Sequence, residues 1–104
     1  LTPFADLDEA MELGEQTYAG ACAVCHGNNG QGGVGVAFAG SDFATNEEHL
    51  DEHIDVLING RAAMPAFGAQ LSPREIAAVV TYERNAWGND TGDLIQPQDV
   101  QDHE

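Results

Sequence analysis

Apolar residues recur at helical spacing in three stretches of this chain, and no stretch shows the two-residue alternation of a strand. Leu7, Ala10, Met11, Gly14 and Tyr18 mark the first, which predicts a helix from about Asp8 to Ala19, running on as a turn into Cys22. Asp6 followed by Glu9 has the form of a capping box with Asp in place of Ser, and Asp8 is the rival cap. A mid-helix glycine costs about 1 kcal/mol relative to alanine, so Gly14, on one face with Tyr18, makes sense if another helix comes close there. The second stretch, Glu47 to Asn59, has Leu50, His53 or Ile54, Leu57 and Ile58 as its buried stripe. Asn46 is its N-cap, acids fill its first turn as the helix dipole prefers, and Gly60 stops it. The third opens on Ser72-Pro73-Arg74-Glu75, a serine cap with proline first and glutamate third. Ile76, Val79, Val80, Tyr82 and Trp87 carry it to Gly88.

The remainder reads as connections. Leu1 to Ala5 looks like the end of a linker, with Pro3 resisting helix, and Asn89 to Glu104 like an extended acidic tail. That divides the chain into a linker (1–5), one domain (6–88) and a tail (89–104), a length that suits a single core. Asn28 to Thr45 is glycine-rich without periodicity, and it lacks the Gly-Lys-Ser/Thr ending of a phosphate cradle. Arg61 to Leu71 is a loop carrying Met64-Pro65 and Phe67.

The chemistry lies in Cys22-Ala23-Val24-Cys25-His26. Two cysteines two residues apart, the second followed by histidine, form the attachment signature of a c-type haem. The thiols must reach two vinyl groups on one porphyrin edge, and the next side chain must turn under the ring to present an imidazole nitrogen to iron. Gly27 lets the backbone leave without a Cβ in the way. The Asn28–Thr45 loop then reads as wrapping the haem edge, with Val34, Val36 and Phe38 as its apolar contacts. Three other readings compete. A thioredoxin-like redox pair lacks the alternation of strand and helix around it. A zinc site would recruit His49 and His53, but Cys25 to His49 is too long a gap for zinc-finger spacing. Those two histidines, one turn apart, read as solvated or edge-packed. A Cys22–Cys25 disulfide would close only a tiny loop.

Charge narrows the partners. The formal net charge is −15, with no lysine and only Arg61, Arg74 and Arg84 as cations. Nucleic acid is excluded as a partner, because phosphate contacts need Lys and Arg, and anionic membrane surfaces repel such a chain. The acidity reads either as solubility, in a saline habitat for instance, or as steering of a basic protein partner. No apolar run approaches the length of a bilayer span. The start at Leu1 without methionine or signal peptide reads as a processed or excised piece.

The chain closely resembles class I cytochrome c from Asp8 to Gly88. The resemblance rests on Gly14-x-x-x-Tyr18, Cys22-x-x-Cys25-His26-Gly27, Asn59-Gly60, Met64-Pro65 and Val79-x-x-Tyr82. It implies an all-α fold of three main helices around one covalent haem c, with no significant sheet. In that family the first and last helices cross at nearly right angles, which accounts for Gly14 packing against Val79 and Tyr82. It further implies thioethers at Cys22 and Cys25 and axial ligands at His26 and Met64, with Met11 left to the core. Arg61, Pro65 and Phe67 join Val34, Val36 and Phe38 as pocket residues. Related loops usually carry prolines after the Gly30-Gln31-Gly32 run; Gly33 to Phe38 has none, so a non-proline carbonyl must orient the haem histidine.

A narrower resemblance covers Thr81 to Asp93, then Gln96-Pro97-x-Asp99-Val100, with His53-Ile54-Asp55-x-x-x-Asn59-Gly60-Arg61. These are similar to the cytochrome c domain fused to subunit II of caa3-type cytochrome c oxidases. That implies a one-electron carrier, not an enzyme on its own, on the periplasmic side of the bacterial inner membrane and tethered to it in its parent. Its partners would be a donor cytochrome and the oxidase copper domain, and the isolated piece would be a monomer. The alternatives are a free periplasmic cytochrome c shuttling between respiratory complexes, a haem sensor or peroxidase-like domain in which Met64 leaves, and the zinc module.

Overall fold

Leu7–Ala21 (α1) starts where the sequence asks it to: the Asp6 carboxylate accepts the Glu9 backbone N–H at 2.9 Å. The helix buries Ala10, Gly14 and Tyr18, while Met11, expected in the core, is only half-buried. A computed structural model describes residues 1–104 and carries this helix almost directly into Ala23–His26 (α2), with Cys25 inside α2 and Cys22 at the junction of the two helices. After the glycine loop come Asp42–Thr45 (α3), a 3-10 turn at Glu47–His49, and Leu50–Asn59 (α4). Then follow Pro73–Asn85 (α5) and Pro97–Gln101 (α6). The only β pairing is an isolated bridge between Arg61 and Met64.

The Ser72–Glu75 capping box forms in full, its serine accepting the Glu75 N–H while the glutamate accepts the Ser72 N–H. Asn46 caps the 3-10 turn instead of a longer helix, because its side chain accepts from Glu48 N–H only 2.9 Å away. The second helix therefore begins at Leu50, not Glu47. Ser41 caps α3, a turn of helix inside the stretch expected to be loop.

α1 packs on α5 through Gly14. A Cβ there would lie 2.3 Å from the Ala78 carbonyl oxygen and 2.6 Å from Tyr82 Cβ. The partner is thus the α5 backbone at Ala78, not Val79, together with Tyr82. Backbone cannot yield as a flexible side chain does, so Gly14→Leu should cost about 1–3 kcal/mol or more through overpacking. Thermal unfolding of the haem-bound variant at the parent's midpoint would show that this contact is not tight.

Other expectations are corrected as well. Helix α5 stops at Asn85, and Trp87, expected within it, adopts a left-handed backbone with φ of 58°. Turned inward, its ring packs against Tyr18 and Tyr82, with centroids at 4.9 and 5.2 Å. The linker residue Phe4 is buried beneath the Arg74 guanidinium, 4.2 Å from the ring centroid. The Gln96 amide grips Phe4 on both sides, accepting its N–H at 2.7 Å and donating to its carbonyl at 3.1 Å.

Nor is the acidic tail extended in solvent. Its apolar residues Ile95, Pro97 and Val100 are buried, and α6 packs on α5. Buried Arg84 pairs with Asp93, and the Ile95 N–H donates to Thr81 Oγ1 at 3.0 Å. Asn89, also buried, donates to the Phe38 and Glu83 carbonyls at 2.9 Å each and accepts from Gly40 N–H. The tail thereby staples the glycine loop to α5.

Candidate functional site

α1 delivers Cys22 to the floor of a cavity of about 720 Å³, and the single turn of α2 brings Cys25 and His26 into the same wall. The chain leaves through Gly27 with φ of 88°, a left-handed conformation that disfavours a side chain. The Tyr18 hydroxyl donates to the Gly27 carbonyl at 2.9 Å and pins this exit to α1. Burial, with the Glu83 charge adding to it, holds that phenol's pKa above its ordinary value, so it remains a donor.

The glycine loop then doubles back over His26. The Gly35 N–H donates to the Cys25 carbonyl at 2.7 Å, and a Cβ on Gly35 would lie 2.6 Å from the imidazole Cε1. Only a bare backbone fits against that ring. The next residue supplies the orienting acceptor: His26 Nδ1 lies 2.8 Å from the Val36 carbonyl oxygen. A carbonyl can only accept, so Nδ1 carries the hydrogen and Nε2 keeps its lone pair for a metal. The non-proline carbonyl expected from the sequence is thus that of Val36. Phe38 stacks on His26, with centroids 4.3 Å apart.

Met64 enters the cavity wall from the tight turn after α4, together with Ala62, Ala63 and Pro65. All ten residues expected at the site line this one cavity: Cys22, Cys25, His26, Val34, Val36, Phe38, Arg61, Met64, Pro65 and Phe67. Their burial is uneven. Phe38 and Phe67 are buried, while Val34 and Val36, 90% and 67% exposed, line the rim. Arg61 is also at the rim, its guanidinium 2.8 Å from the Glu52 carboxylate.

The competing readings of the cysteines meet specific obstacles. Neither thiol is bonded to the other. Burial, then the nearby Glu83 charge and Cys25, pushes the Cys22 thiol up to about 12. A thioredoxin-like nucleophile needs the opposite shift. His49 faces Asp42 at 3.2 Å, and His53 faces Glu83 at 2.6 Å, so neither joins the cysteines in a ligand set.

His53 and Glu83 were not expected at the site, yet both are buried in its wall. The sequence did carry a signal for each. His53 falls on the apolar stripe of α4, and Glu83 stands seven residues after Ile76 and three after Val80, on the buried side of α5.

The cavity fits a haem on its own terms. Its volume falls within the range of about 300–1,000 Å³ of cofactor pockets, and its lining is predominantly apolar. Two unbonded thiols, a tautomer-fixed imidazole and a methionine line it together, a donor set that suits covalent attachment and two axial bonds.

Comparison with known proteins points the same way. Residues 9–82 match the family model described as "Cytochrome C oxidase, cbb3-type, subunit III". Cytochrome c6 of Gracilaria tenuistipitata var. liui is 36% identical over 87 residues, spanning 82% of this chain and 77% of that protein. The cytochrome c subunit of alcohol dehydrogenase (quinone) from Gluconacetobacter polyoxogenes is 33% identical over 101 residues. That match takes in 84% of this chain and only 21% of the subunit, so the chain spans about a fifth of that relative's length. Among solved structures, cytochrome CL from the marine methylotroph Methylophaga aminisulfidivorans MPT superposes with a TM-score of 0.64. At 24% identity, over 90% of this chain and 65% of that one, this is a likeness of fold.

Proposed function

The chain belongs to the class I c-type cytochromes, the family of one covalent haem c to which its matching relatives belong, and from that premise we propose that it is a one-electron carrier with His26 and Met64 as the iron's axial ligands. Cys22 and Cys25 form the thioethers. The observation that carries this reading is the convergence of both thiols, the His26 imidazole and the Met64 sulfur on one apolar cavity. When bound, the haem supplies a ferrous/ferric couple.

The chain's own residues set how that couple behaves. His26, held by the Val36 carbonyl, presents one nitrogen in one orientation. Met64 offers a soft thioether, which favours ferrous iron and raises the potential. Phe38 and Phe67 keep the interior dry. With both axial positions taken by protein, the iron offers no place for substrate, and the domain is a carrier instead of an enzyme. The purified holoprotein should show ferrous bands of a six-coordinate c-type haem that do not move on adding carbon monoxide. A carbon monoxide adduct in the native protein would sink the Met64 assignment and favour a sensor or peroxidase-like domain.

For the parent, we infer subunit II of a caa3-type oxidase, with its copper domain as acceptor and a cytochrome as donor, on the periplasmic face of the inner membrane. The support is the run Thr81 to Asp93 with Gln96-Pro97-x-Asp99-Val100. No helix of this chain is long and apolar enough to cross a membrane, so any tether lies outside it. The cytochrome c6 match, which spans most of both chains, favours a second reading as a free shuttle. The reading frame upstream of Leu1 separates them: a copper domain and membrane anchors there support the first, and a signal peptide alone supports the second.

Docking follows from the rim. Val24, Val34 and Val36 are exposed there, and the Arg61 charge is paired with Glu52. Acids such as Asp8, Glu9 and Glu12 lie on α1, away from the cavity lining. The rate of reduction by a basic cytochrome should therefore change little with ionic strength, despite the charge of −15. A steep fall of the second-order rate with added salt would establish steering instead.

A further inference from the structure

The turn that follows α5 holds the loop over His26 from outside the cavity. Trp87 and Gly88 take left-handed backbone, with φ of 58° and 89°, and lead the chain into Asn89. Asn89 is 4% exposed and lines no part of the cavity. Its side-chain amide makes three hydrogen bonds, each of 2.9 Å. Nδ2 donates to the Phe38 and Glu83 carbonyls, and Oδ1 accepts the Gly40 N–H. The amide fits in one orientation only, since reversing it would set its oxygen against two carbonyls and its nitrogen against an N–H.

The segment it binds carries both contacts to the haem histidine. Phe38 stacks on the His26 ring at 4.3 Å, and two residues earlier the Val36 carbonyl lies 2.8 Å from Nδ1. The same segment hangs from Gly30, whose carbonyl accepts the Phe38 and Ala39 N–H groups at 2.8 and 2.9 Å. Gly30 in turn lies against the Trp87 ring: a Cβ there would be 2.4 Å from Trp87 Cε3. One turn, Trp87-Gly88-Asn89, therefore grips the loop at Gly30 and again at Phe38 and Gly40. Glycines at 30, 32, 33, 35 and 40 give the loop little stiffness of its own, so its geometry is imposed from outside.

We propose that Asn89 is a positioning residue for His26, which fixes the Val36 carbonyl and the Phe38 ring against the imidazole and thereby tunes the haem potential. It acts only through the loop. A well-formed hydrogen bond from Nδ1 pushes electron density toward Nε2, makes the imidazole a stronger donor and favours ferric iron. Released at Phe38 and Gly40, the loop would let that bond lengthen, and the potential would rise.

The inference rests on the haem reading, and the test separates the two. Spectroelectrochemistry of haem-loaded Asn89→Ala should give a higher midpoint potential than the parent. Nuclear magnetic resonance of the ferrous variant should show the His26 Nδ1–H exchanging with solvent about tenfold faster, roughly the worth of one lost hydrogen bond. Asn89→Leu keeps a comparable volume and makes none of the three bonds, so it should raise the potential as well. Val100→Ala controls for stability, because it empties a fully buried site on α6, which packs on α5. It should lower the Tm and leave both the potential and the His26 exchange rate as in the parent.

Should both Asn89 variants fail to fold, the parent still decides. Its Asn89 Nδ2 hydrogens should exchange as slowly as the core amides of α5, in step with global unfolding. An unchanged or lower potential in the Asn89 variants, an unchanged His26 Nδ1–H exchange rate, an equal rise in Val100→Ala, or prompt exchange of the Asn89 hydrogens would overturn the proposal. A parent without a six-coordinate haem spectrum would overturn the haem reading itself.

Discussion

Replacing Cys22 and Cys25 together with alanine should abolish covalent haem and, with it, this fold. The cysteines are the covalent link between the chain and the group that fills its interior, and the magnitude of that filling decides the outcome. The cavity measures about 720 Å³. Scaled at about 24 cal/mol per Å³, a void of that size would cost about 17 kcal/mol, an upper figure because the mouth is open to water. A domain of this length has about 5–15 kcal/mol of stability in all. Even half the penalty would leave no margin, so the haem-free chain should lose the packing of α4 and the Met64 loop against the rest. Two measurements check this: haem staining after denaturing electrophoresis, and the cooperativity of unfolding followed by circular dichroism. A double variant that unfolds cooperatively at the parent's midpoint without haem would show that the core stands without it.

Much of this site is legible because its chemistry is local. Cys22, Cys25 and His26 are contiguous on one turn, and the Ser72 capping box and the Gly60 stop are each set within a few residues. Gly14 is legible for another reason: a glycine inside a helical stripe is a cost that something must justify, and the Ala78 backbone does. The loop that orients His26 has no periodicity to read, so which carbonyl does so emerges only in three dimensions. The His53–Glu83 pair joins residues 30 apart in sequence, and the Gln96 grip on Phe4 joins residues 92 apart. No pattern within one element carries such pairings. The tail misleads in the same way. Its acids dominate its composition, yet Ile95, Pro97 and Val100, too few and too irregular to mark an amphipathic helix, decide where it goes.

Met64→Ala should open the sixth coordination position while leaving the haem attached. The loop around it is held by backbone. Gly60 ends α4 with φ of 77°, and a Cβ there would lie 2.8 Å from the Met64 carbonyl oxygen. Arg61 and Met64 then exchange both backbone hydrogen bonds, at 2.9 and 3.1 Å, around Ala62 with its φ of 52°. Beyond them, the Phe67 and Gly68 N–H groups donate to the Leu57 and Ile58 carbonyls and tie the loop back to α4. None of these bonds involves the Met64 side chain, so its truncation removes the sulfur without releasing the loop. Cys22, Cys25 and His26 are held by α1 and α2 and make none of these loop bonds.

Three readouts should change together. The weak ferric charge-transfer band of sulfur ligation should vanish, ferrous protein should bind carbon monoxide, and the potential should fall because a thioether ligand favours ferrous iron. The only other methionine, Met11, is half-buried on α1 and absent from the cavity lining, so Met11→Leu should leave all three as in the parent. A Met64→Ala protein that keeps the sulfur band, or a Met11→Leu protein that loses it, would assign the distal ligand to the wrong methionine.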